Sequence, residues 1–449
     1  MIKRGSIINP EIQAVLSSSN RKEGIKKLFA DMHPYDIFVL CEDLDNTQIA
    51  ECIRALGVPA GIELFEQFDD DRRKEIFSCF SGEWMADILE EMSHDERADF
   101  VKNLSPEKME EILPLVARAE RIDIKKLIEY KEGTAGSILT TDYASLPPNI
   151  SVKEAIEKIK LQAFNRETIY YIYVIDSDRK LLGFVSLRDI LVAPSQKLIE
   201  DIMHKNVISA NVNDDKEEVA NKLSDYNFLA IPIVDNDERL VGIVTVDDVV
   251  DVVIEETTED IYKYGAAGEY IDYMKANPFN VARQRAFWLL FLIIVGSVSA
   301  FILQKNTYLL ETVVALSFFT PLLLGAGGNA GTQSSTVVIR GLAVGEIEME
   351  DVFKVIKKEM SVGICVGTFM ALVASVMASW LDKDPRLGFT VGMAMIFNVT
   401  LATSLGAFLP ILFKKFKLDP ALMSGPFITC IVDVVSLIVY FKIATIIFA

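Results

Sequence analysis

Residues 421–448 read ALMSGPFITCIVDVVSLIVYFKIATIIF, an apolar run of bilayer-spanning length with one carboxylate, Asp433, near its midpoint. A carboxylate at that depth costs about 3 kcal/mol on insertion scales, so such residues face a water-filled path or a partner. The expectation is that the rest of the chain positions Asp433 and controls access to it.

Working toward the N-terminus, further apolar segments occupy 287–303, 312–339, 360–381 and 387–413, which makes five membrane spans. Arg283, Arg285, Arg340, Lys354, Lys357, Lys358, Lys414, Lys415 and Lys417 flank them on one side, against Lys305, Lys383 and Arg386 on the other. The positive-inside rule then puts residues 1–275 in the cytoplasm of a multi-pass protein of the cell (inner or plasma) membrane, with the C-terminus outside.

The second span carries PLLLGAGGNAGTQSST at 321–336. Pro321 and the glycines at 325, 327, 328 and 331 weaken an ordinary helix, and broken helix is tolerated in a membrane where freed carbonyls line a polar cavity. Asn329, Thr332 and Gln333 add oxygens, so Gly328, Asn329 and Ala330 join Asp433 as candidate pore ligands. The competing reading is close packing through small residues, which Gly327/Gly331 and Gly363/Gly367 also allow. Asp419 stands at the cytoplasmic mouth of the last span, about 21 Å before Asp433 along a helix axis, and is a further pore candidate.

Charge divides the chain. Of its 45 Lys+Arg and 64 Asp+Glu, 13 and 10 fall in 276–449, leaving 32 and 54 for residues 1–275: formal charges of +3 and −22. That balance argues against nucleic-acid binding and for a solvated acidic surface or cation binding. Cys41, Cys52, Cys79, Cys365 and Cys430 form no CxxC pair and His33, His94 and His204 are scattered, which argues against zinc and for reduced thiols. The opening MIKRGSIINPEIQ has no apolar run of signal-peptide length, so the first span is expected to act as the targeting signal.

Residues 1–132 read as an acidic domain of short helices. Apolar positions recur at helical spacing in 49–56, 76–80, 85–89 and 100–104, and helix starts are expected at Asp45-Asn46-Thr47, Ser93 and Ser105-Pro106. Units of about twelve residues, such as SHDERADFVKNL, suit a superhelical array in which no unit buries its apolar face alone. No nucleophile–base pairing or Gly-rich loop suggests an enzyme.

Residues 133–250 change period and repeat. VIDSDRKLLGFVSLRDIL (174–191) aligns with VDNDERLVGIVTVDDVV (234–250), Gly183 on Gly242 and Asp189 on Asp248, with strands expected at 170–175, 184–185, 230–234 and 241–245. Both copies resemble cystathionine-β-synthase (CBS) domains. In that family a Ser/Thr-x-x-Asp element can hold adenosine nucleotides, which here implies Ser186 and Asp189, with Arg188 for phosphate and Tyr171 for stacking. The alternative is that Asp189 and Asp248 simply cap helices.

A helix is expected over 246–264, leading into an acidic connecting helix assigned to 251–280. Asp248, Asp251, Glu255 and Glu259, spaced 3, 4 and 4, share one face, bordered by Glu256 and Asp260. Two carboxylates about 5 Å apart repel by about 1–3 kcal/mol at effective dielectrics of about 80 to 20. Such a stripe, faced by Asp95, Asp99 and Glu63 of the N-terminal domain, makes a divalent-cation switch that closes with the ion and splays without it.

The order of parts is itself diagnostic: acidic helical domain, CBS pair, acidic helix, then a transmembrane domain from 281 to 449. With Gly328-Asn329-Ala330-Gly331-Thr332-Gln333, Asp419-Pro420-Ala421 and Asp433, it resembles the MgtE family of magnesium transporters along essentially the whole chain. The resemblance implies a homodimer in the lipid bilayer, an ion path on its two-fold axis, selectivity at Asp433 of both subunits, and regulatory Mg2+ sites matching Asp248, Asp251, Glu256, Glu259 and Asp260. It implies no enzyme; the expected ligands are Mg2+ and ATP or another adenine nucleotide as regulator. This chain departs from the family pattern at Asn227, in Asp225-Tyr226-Asn227-Phe228, where an acid is usual, and at Thr332, where Asn is usual. The alternatives are a Na+- or H+-coupled divalent cation carrier or exporter, and a membrane-anchored Mg2+ or nucleotide sensor without transport.

Overall fold

The computed structural model describes residues 12–448 apart from 13, 18, 19, 164, 165, 272, 275 and 424 and the side chains of Asp95 and Ala119. The chain forms two compact units, Met1–Val253 and Ile254–Ala449.

The first unit opens with short helices: α1 (Arg21–Phe29), α2 (Pro34–Cys41), α3 (Asn46–Leu56), α4 (Val58–Glu66), α5 (Asp70–Phe77), α6 (Gly82–Glu91), α7 (His94–Lys102), α8 (Pro106–Ile112) and α9 (Arg118–Ile128). Their starts follow local chemistry. Asp45 and Gln48 form a reciprocal capping box on α3, and Ser105 caps α8 through the Lys108 N–H at 3.4 Å. Ser93 precedes α7 without a side-chain cap; its own N–H donates to Glu66 Oε1 at 3.1 Å. None of these helices buries its apolar face alone. Phe100 of α7 meets Phe65 of α4 and Phe77 of α5 edge to face, at 5.6 and 4.9 Å.

The helical array is pinned to the following sheets by a polar cluster. Arg97, fully buried, pairs with Glu120 at 2.8 Å, while His94 bonds Thr141 Oγ1 and lies 3.2 Å from Asp142. Burial and the Arg97 charge push the His94 pKa down to about 4, against the pull of Glu120 and Asp123.

The expected repeat is present as two three-stranded sheets of one topology. The first contains β1 (Tyr143–Leu146), β2 (Thr168–Ile175) and β3 (Leu181–Ser186), with α10 (Val152–Gln162) between β1 and β2, then α11 (Leu187–Val192) and α12 (Ile199–Ile202). The second contains β4 (Ala210–Asn211), β5 (Ala230–Val234) and β6 (Leu240–Thr245), with α13 (Lys216–Tyr226) between β4 and β5. In each sheet the first pair is parallel and the second antiparallel. The acidic turns share one mechanism: Asp176 Oδ1 accepts from the Asp178 and Lys180 N–H groups, and Asp235 Oδ1 from those of Asp237 and Arg239. The repeated glycine marks a backbone crossing. A Cβ at Gly183 would sit 2.7 Å from the His204 carbonyl oxygen, and one at Gly242 2.6 Å from that of Thr140.

Helix α14 (Val246–Tyr264) runs on from β6. The second unit then contains α15 (Pro278–Lys305), α16 (Thr307–Thr312), α17 (Ala315–Ala343), α18 (Val352–Asp382), α19 (Pro385–Lys415) and α20 (Gly425–Phe448). Of these, α15, α18, α19 and α20 are long and apolar enough to cross a membrane. Helix α17, 29 residues long, has the length but is diluted by Gly, Asn, Gln and Ser. It buries Leu316, Phe319, Leu323 and Ser335 against its neighbours, whereas α15 buries none of its residues. The fold is that of a multidomain membrane protein.

Two expectations change. Helix α17 runs unbroken through Gly325–Gly331, because Gly327, Gly328 and Gly331 meet neighbouring helices and that packing outweighs a propensity deficit of about 1 kcal/mol each. The last span begins as a helix at Gly425 rather than at 421, after a 3-10 turn at Pro420–Leu422. Pro426 suits the first helical turn, where its missing N–H has no intrahelical role.

Candidate functional site

Helices α17 and α20 run antiparallel at close range. Thr332 Oγ1 lies 3.5 Å from Thr429 Oγ1, and the Leu316 carbonyl accepts from the Tyr440 hydroxyl at 2.9 Å. Between these points a Cβ at Gly328 would meet Thr429 Cγ2 at 2.8 Å, and one at Gly331 would meet Val432 Cγ2 at 3.1 Å. Gly363 and Gly367 of α18 serve the same close approach against α19.

This packing sorts the candidates. Gly328 and Ala330, expected to offer carbonyls to an ion, lie instead on the buried face of a continuous helix, where small size lets α20 approach. Gly325, Asn329 and Gln333, four residues apart, form the opposite, exposed face. Asp433 follows Val432, which packs on α17, and is half-buried. Its Oδ1 is enclosed and has no hydrogen-bond partner among the described residues. Two polar elements of neighbouring helices therefore retain unused oxygen ligands inside a membrane domain.

The turn before α20 holds a connection absent from the sequence reading. Lys263 of α14 bridges Asp419 Oδ2 at 2.7 Å and Glu259 Oε1 at 2.5 Å. The next residue, Tyr264, places its hydroxyl 3.0 Å from the Thr332 carbonyl and 2.7 Å from Thr336 Oγ1. Burial disfavours the Lys263 ammonium, but its hydrogen bonds to Asp419 and Glu259 outweigh this and hold its pKa above the ordinary value. Burial, and then the Asp419 charge, push the Asp260 carboxyl up. Asp419, Glu259 and Asp260 thus come together around Lys263. The signal was available: Lys263 is the one cation in the nineteen residues of α14.

The remaining acidic candidates are spread out. Asp251 and Glu255 are exposed on α14, with Glu256 half-buried. Asp248 accepts from the Thr245 hydroxyl at 2.5 Å, as a helix cap does. Glu63 on α4 and Asp99 on α7 are exposed, and the Asp95 side chain lies outside the described residues. Among the described residues no three His, Cys, Asp or Glu side chains converge as a closed metal cage. Asn227 ends α13 in the left-handed conformation at φ 53°, which Asn tolerates better than most residues.

In the CBS pair, an open cleft is lined by Tyr171, Tyr173, Phe184, Phe228 and Pro232. Tyr171 packs edge-on to Phe184 and Phe228 at 5.8 and 6.3 Å. Ser186 and Asp189 form the capping box of α11, with Arg188 exposed on its first turn. Against a burial cost, hydrogen bonds from Ser186 and His204 hold the Asp189 carboxyl below the ordinary aspartate value. His204 was missed by sequence reading; it stacks on Phe184 at 5.1 Å.

Helical array, duplicated CBS-type sheets and membrane helices with a polar seam define the class: a multidomain membrane transport protein. Residues 320–443 match the MgtE divalent cation transporter family, 32–133 the MgtE intracellular N domain, and 135–195 and 199–255 the CBS domain. The chain is 40% identical over 322 residues to the magnesium transporter MgtE of Thermus thermophilus, covering 72% of this chain and 71% of that one. The corresponding Enterococcus faecalis transporter is 39% identical over the same shares. A crystal structure of the soluble part of a magnesium transporter superposes with a TM-score of 0.52 at 34% identity, over 56% of this chain and 99% of the other. The cytosolic domain of the Mg2+ channel MgtE in complex with ATP does so with a TM-score of 0.52 at 30% identity, over 54% and 99%. The chain belongs to the MgtE family of magnesium transporters, which are not enzymes.

Proposed function

We propose that this protein takes up Mg2+ across the cell membrane through a path lined by Asp433 and Asn329, and that cytosolic Mg2+ closes it. The observations that carry the reading are the enclosed Asp433 Oδ1, which has no hydrogen-bond partner among the described residues, and the exposed Gly325–Asn329–Gln333 face of the neighbouring helix α17. A polar stripe inside a bilayer does not face lipid, so it meets water or a second copy of the chain. A two-fold dimer supplies both and pairs Asp433 with its equivalent. Mg2+ sheds water reluctantly, and two carboxylates across a wet path hold it through its own hydration shell.

In this reading residues 1–132 and 133–250 are the helical domain and CBS pair, and 251–280 the connecting stretch, helical only to Tyr264 before α15 begins at Pro278, all on the cytoplasmic side; 281–449 form the pore, with the C-terminus outside. The acidic residues of α14, with Glu63, Asp95 and Asp99, bind Mg2+ at high internal concentration and draw the cytosolic parts together. Ions bias the gate only by binding the closed state more tightly. The contacts of Lys263 with Asp419 and of Tyr264 with Thr332 support α14 as the gate, since it ends on the pore mouth. The aromatic cleft beside Tyr171, Ser186, Arg188 and Asp189 suits an adenine nucleotide, and a relative's cytosolic domain binds ATP.

Reconstitution in liposomes tests the reading: Asp433→Ala is expected to abolish Mg2+ flux, and normal flux in that variant rejects the path. Insensitivity of wild-type flux to imposed Na+ and pH gradients is expected of a channel; dependence on either identifies a coupled carrier.

A further inference from the structure

We propose that Asn398 is a positioning residue for ion selection: by bonding both α17 and α20 it fixes the axial register of Asp433 against Asn329. The proposal rests on the reading of Asp433 as the selecting carboxylate.

Asn398 lies on α19 and is 3% exposed. Its Nδ2 donates to the Leu323 carbonyl of α17 at 2.6 Å. A carbonyl accepts and cannot donate, so this contact settles which way the amide points. Oδ1 is left facing α20, where the Ser436 hydroxyl donates to it. The same hydroxyl lies 2.6 Å from the Val432 carbonyl, so its single hydrogen is shared between the amide and the turn that carries Asp433. Leu323 lies six residues before Asn329, and Ser436 three residues after Asp433. One amide therefore joins the two helices that hold the candidate ligands.

Gly327 is cut to fit this amide. A Cβ there would stand 2.7 Å from Asn398 Oδ1, 2.8 Å from Nδ2 and 3.0 Å from Val432 Cγ1. The glycine run read as a broken pore helix is, at this position, clearance for a side chain that no motif singled out. A leucine fills similar space, and burying an amide among membrane helices is unfavourable unless it is bonded. What the amide adds is direction. Apolar surfaces can slip along one another, whereas two hydrogen bonds at opposite ends of one planar group hold both helices at one height. A slip of one residue moves a ligand about 1.5 Å along the axis, which matters for a small ion with near-octahedral demands.

The test is reconstituted flux of Mg2+ and Ca2+ by the full chain, read as the Mg2+/Ca2+ ratio and as half-saturation separately from maximal flux. Asn398→Leu and Ser436→Ala are compared with the wild type at equal protein and equal thermal midpoint. The ratio is expected to fall about five-fold or more in Asn398→Leu, and in the same direction by less in Ser436→Ala, with maximal Mg2+ flux retained. An unchanged ratio in folded variants overturns the proposal, as does a loss of flux with the ratio intact. Ser436→Ala removes one oxygen and keeps the test decisive if Asn398→Leu does not fold. Asp433→Ala separates the two readings. If it conducts with wild-type selectivity, the pore assignment falls; if it is inactive while the other variants keep their ratio, only the role of Asn398 falls.

Discussion

The carboxylates of this chain live in two contrasting settings. Asp433 is the one carboxylate of its membrane helix, one oxygen enclosed and without a partner among the described residues, on a helix held by glycine-thinned contacts between α17 and α20. Asp251 and Glu255 stand on the exposed side of α14, and Glu259 is tied to Lys263. The first setting fixes one charge to within a side chain's width. The second gathers many charges loosely, so that their mutual repulsion is itself the sensitive quantity. A filter needs position, whereas a gate needs a large change in energy from small changes in ion concentration.

Breaking the first setting has the largest expected effect. Asp433→Asn keeps shape but removes the charge, and charge-assisted contacts worth about 1.5–3 kcal/mol correspond to a loss of about 10- to 150-fold in Mg2+ flux, measured in liposomes. In the second setting no single residue should matter as much. Neutralising Asp248, Asp251, Glu255 and Glu259 together is expected to leave flux on at internal Mg2+ that closes the wild type, whereas each single change shifts the inhibitory concentration only about two- to three-fold. Single changes as large as the combined one would erase the distinction between the two regions.

The polar cluster that joins α7 to Asp142 gives a third, acid-sensitive case. His94 has its pKa depressed from 6.5 to about 4, so the folded unit binds the proton less readily than the unfolded chain. Its contribution is therefore complete above the unfolded value and lost as pH falls through about 4, on the order of 2–3 kcal/mol in total. Thermal unfolding between these pH values should show the loss in the wild type and a flatter profile in His94→Gln. The smallest effect is expected at the mouth. Lys263→Ala removes the cation between Glu259 and Asp419 and should change the inhibitory Mg2+ concentration about two-fold or less, with Lys263→Arg restoring most of it; an unchanged inhibition curve would show that the bridge does not bear on gating.

Much of this was legible in one dimension. The lengths of the apolar runs, the CBS repeat and the buried-face periodicity of the short helices are local properties, and local spacing imposes them. Asp433 was legible because a charge in an apolar run has no ordinary explanation. The glycines at 327, 328 and 331 were misread as helix breakers, since propensity says how weak a helix is alone and nothing about what presses on it. Lys263 stands out in sequence only as the one cation of α14; its contact with Asp419 spans 156 residues and is not legible there.

By itself the sequence determined which segments are apolar and long, which part is acidic, and that the sheets repeat, because hydropathy, charge and period act over a few residues. Tertiary structure alone decided which face of α17 is open, that Asn398 ties three helices together, and that α14 ends on Asp419. Those facts depend on which surfaces meet, and close packing between distant segments has no signature until the chain is folded.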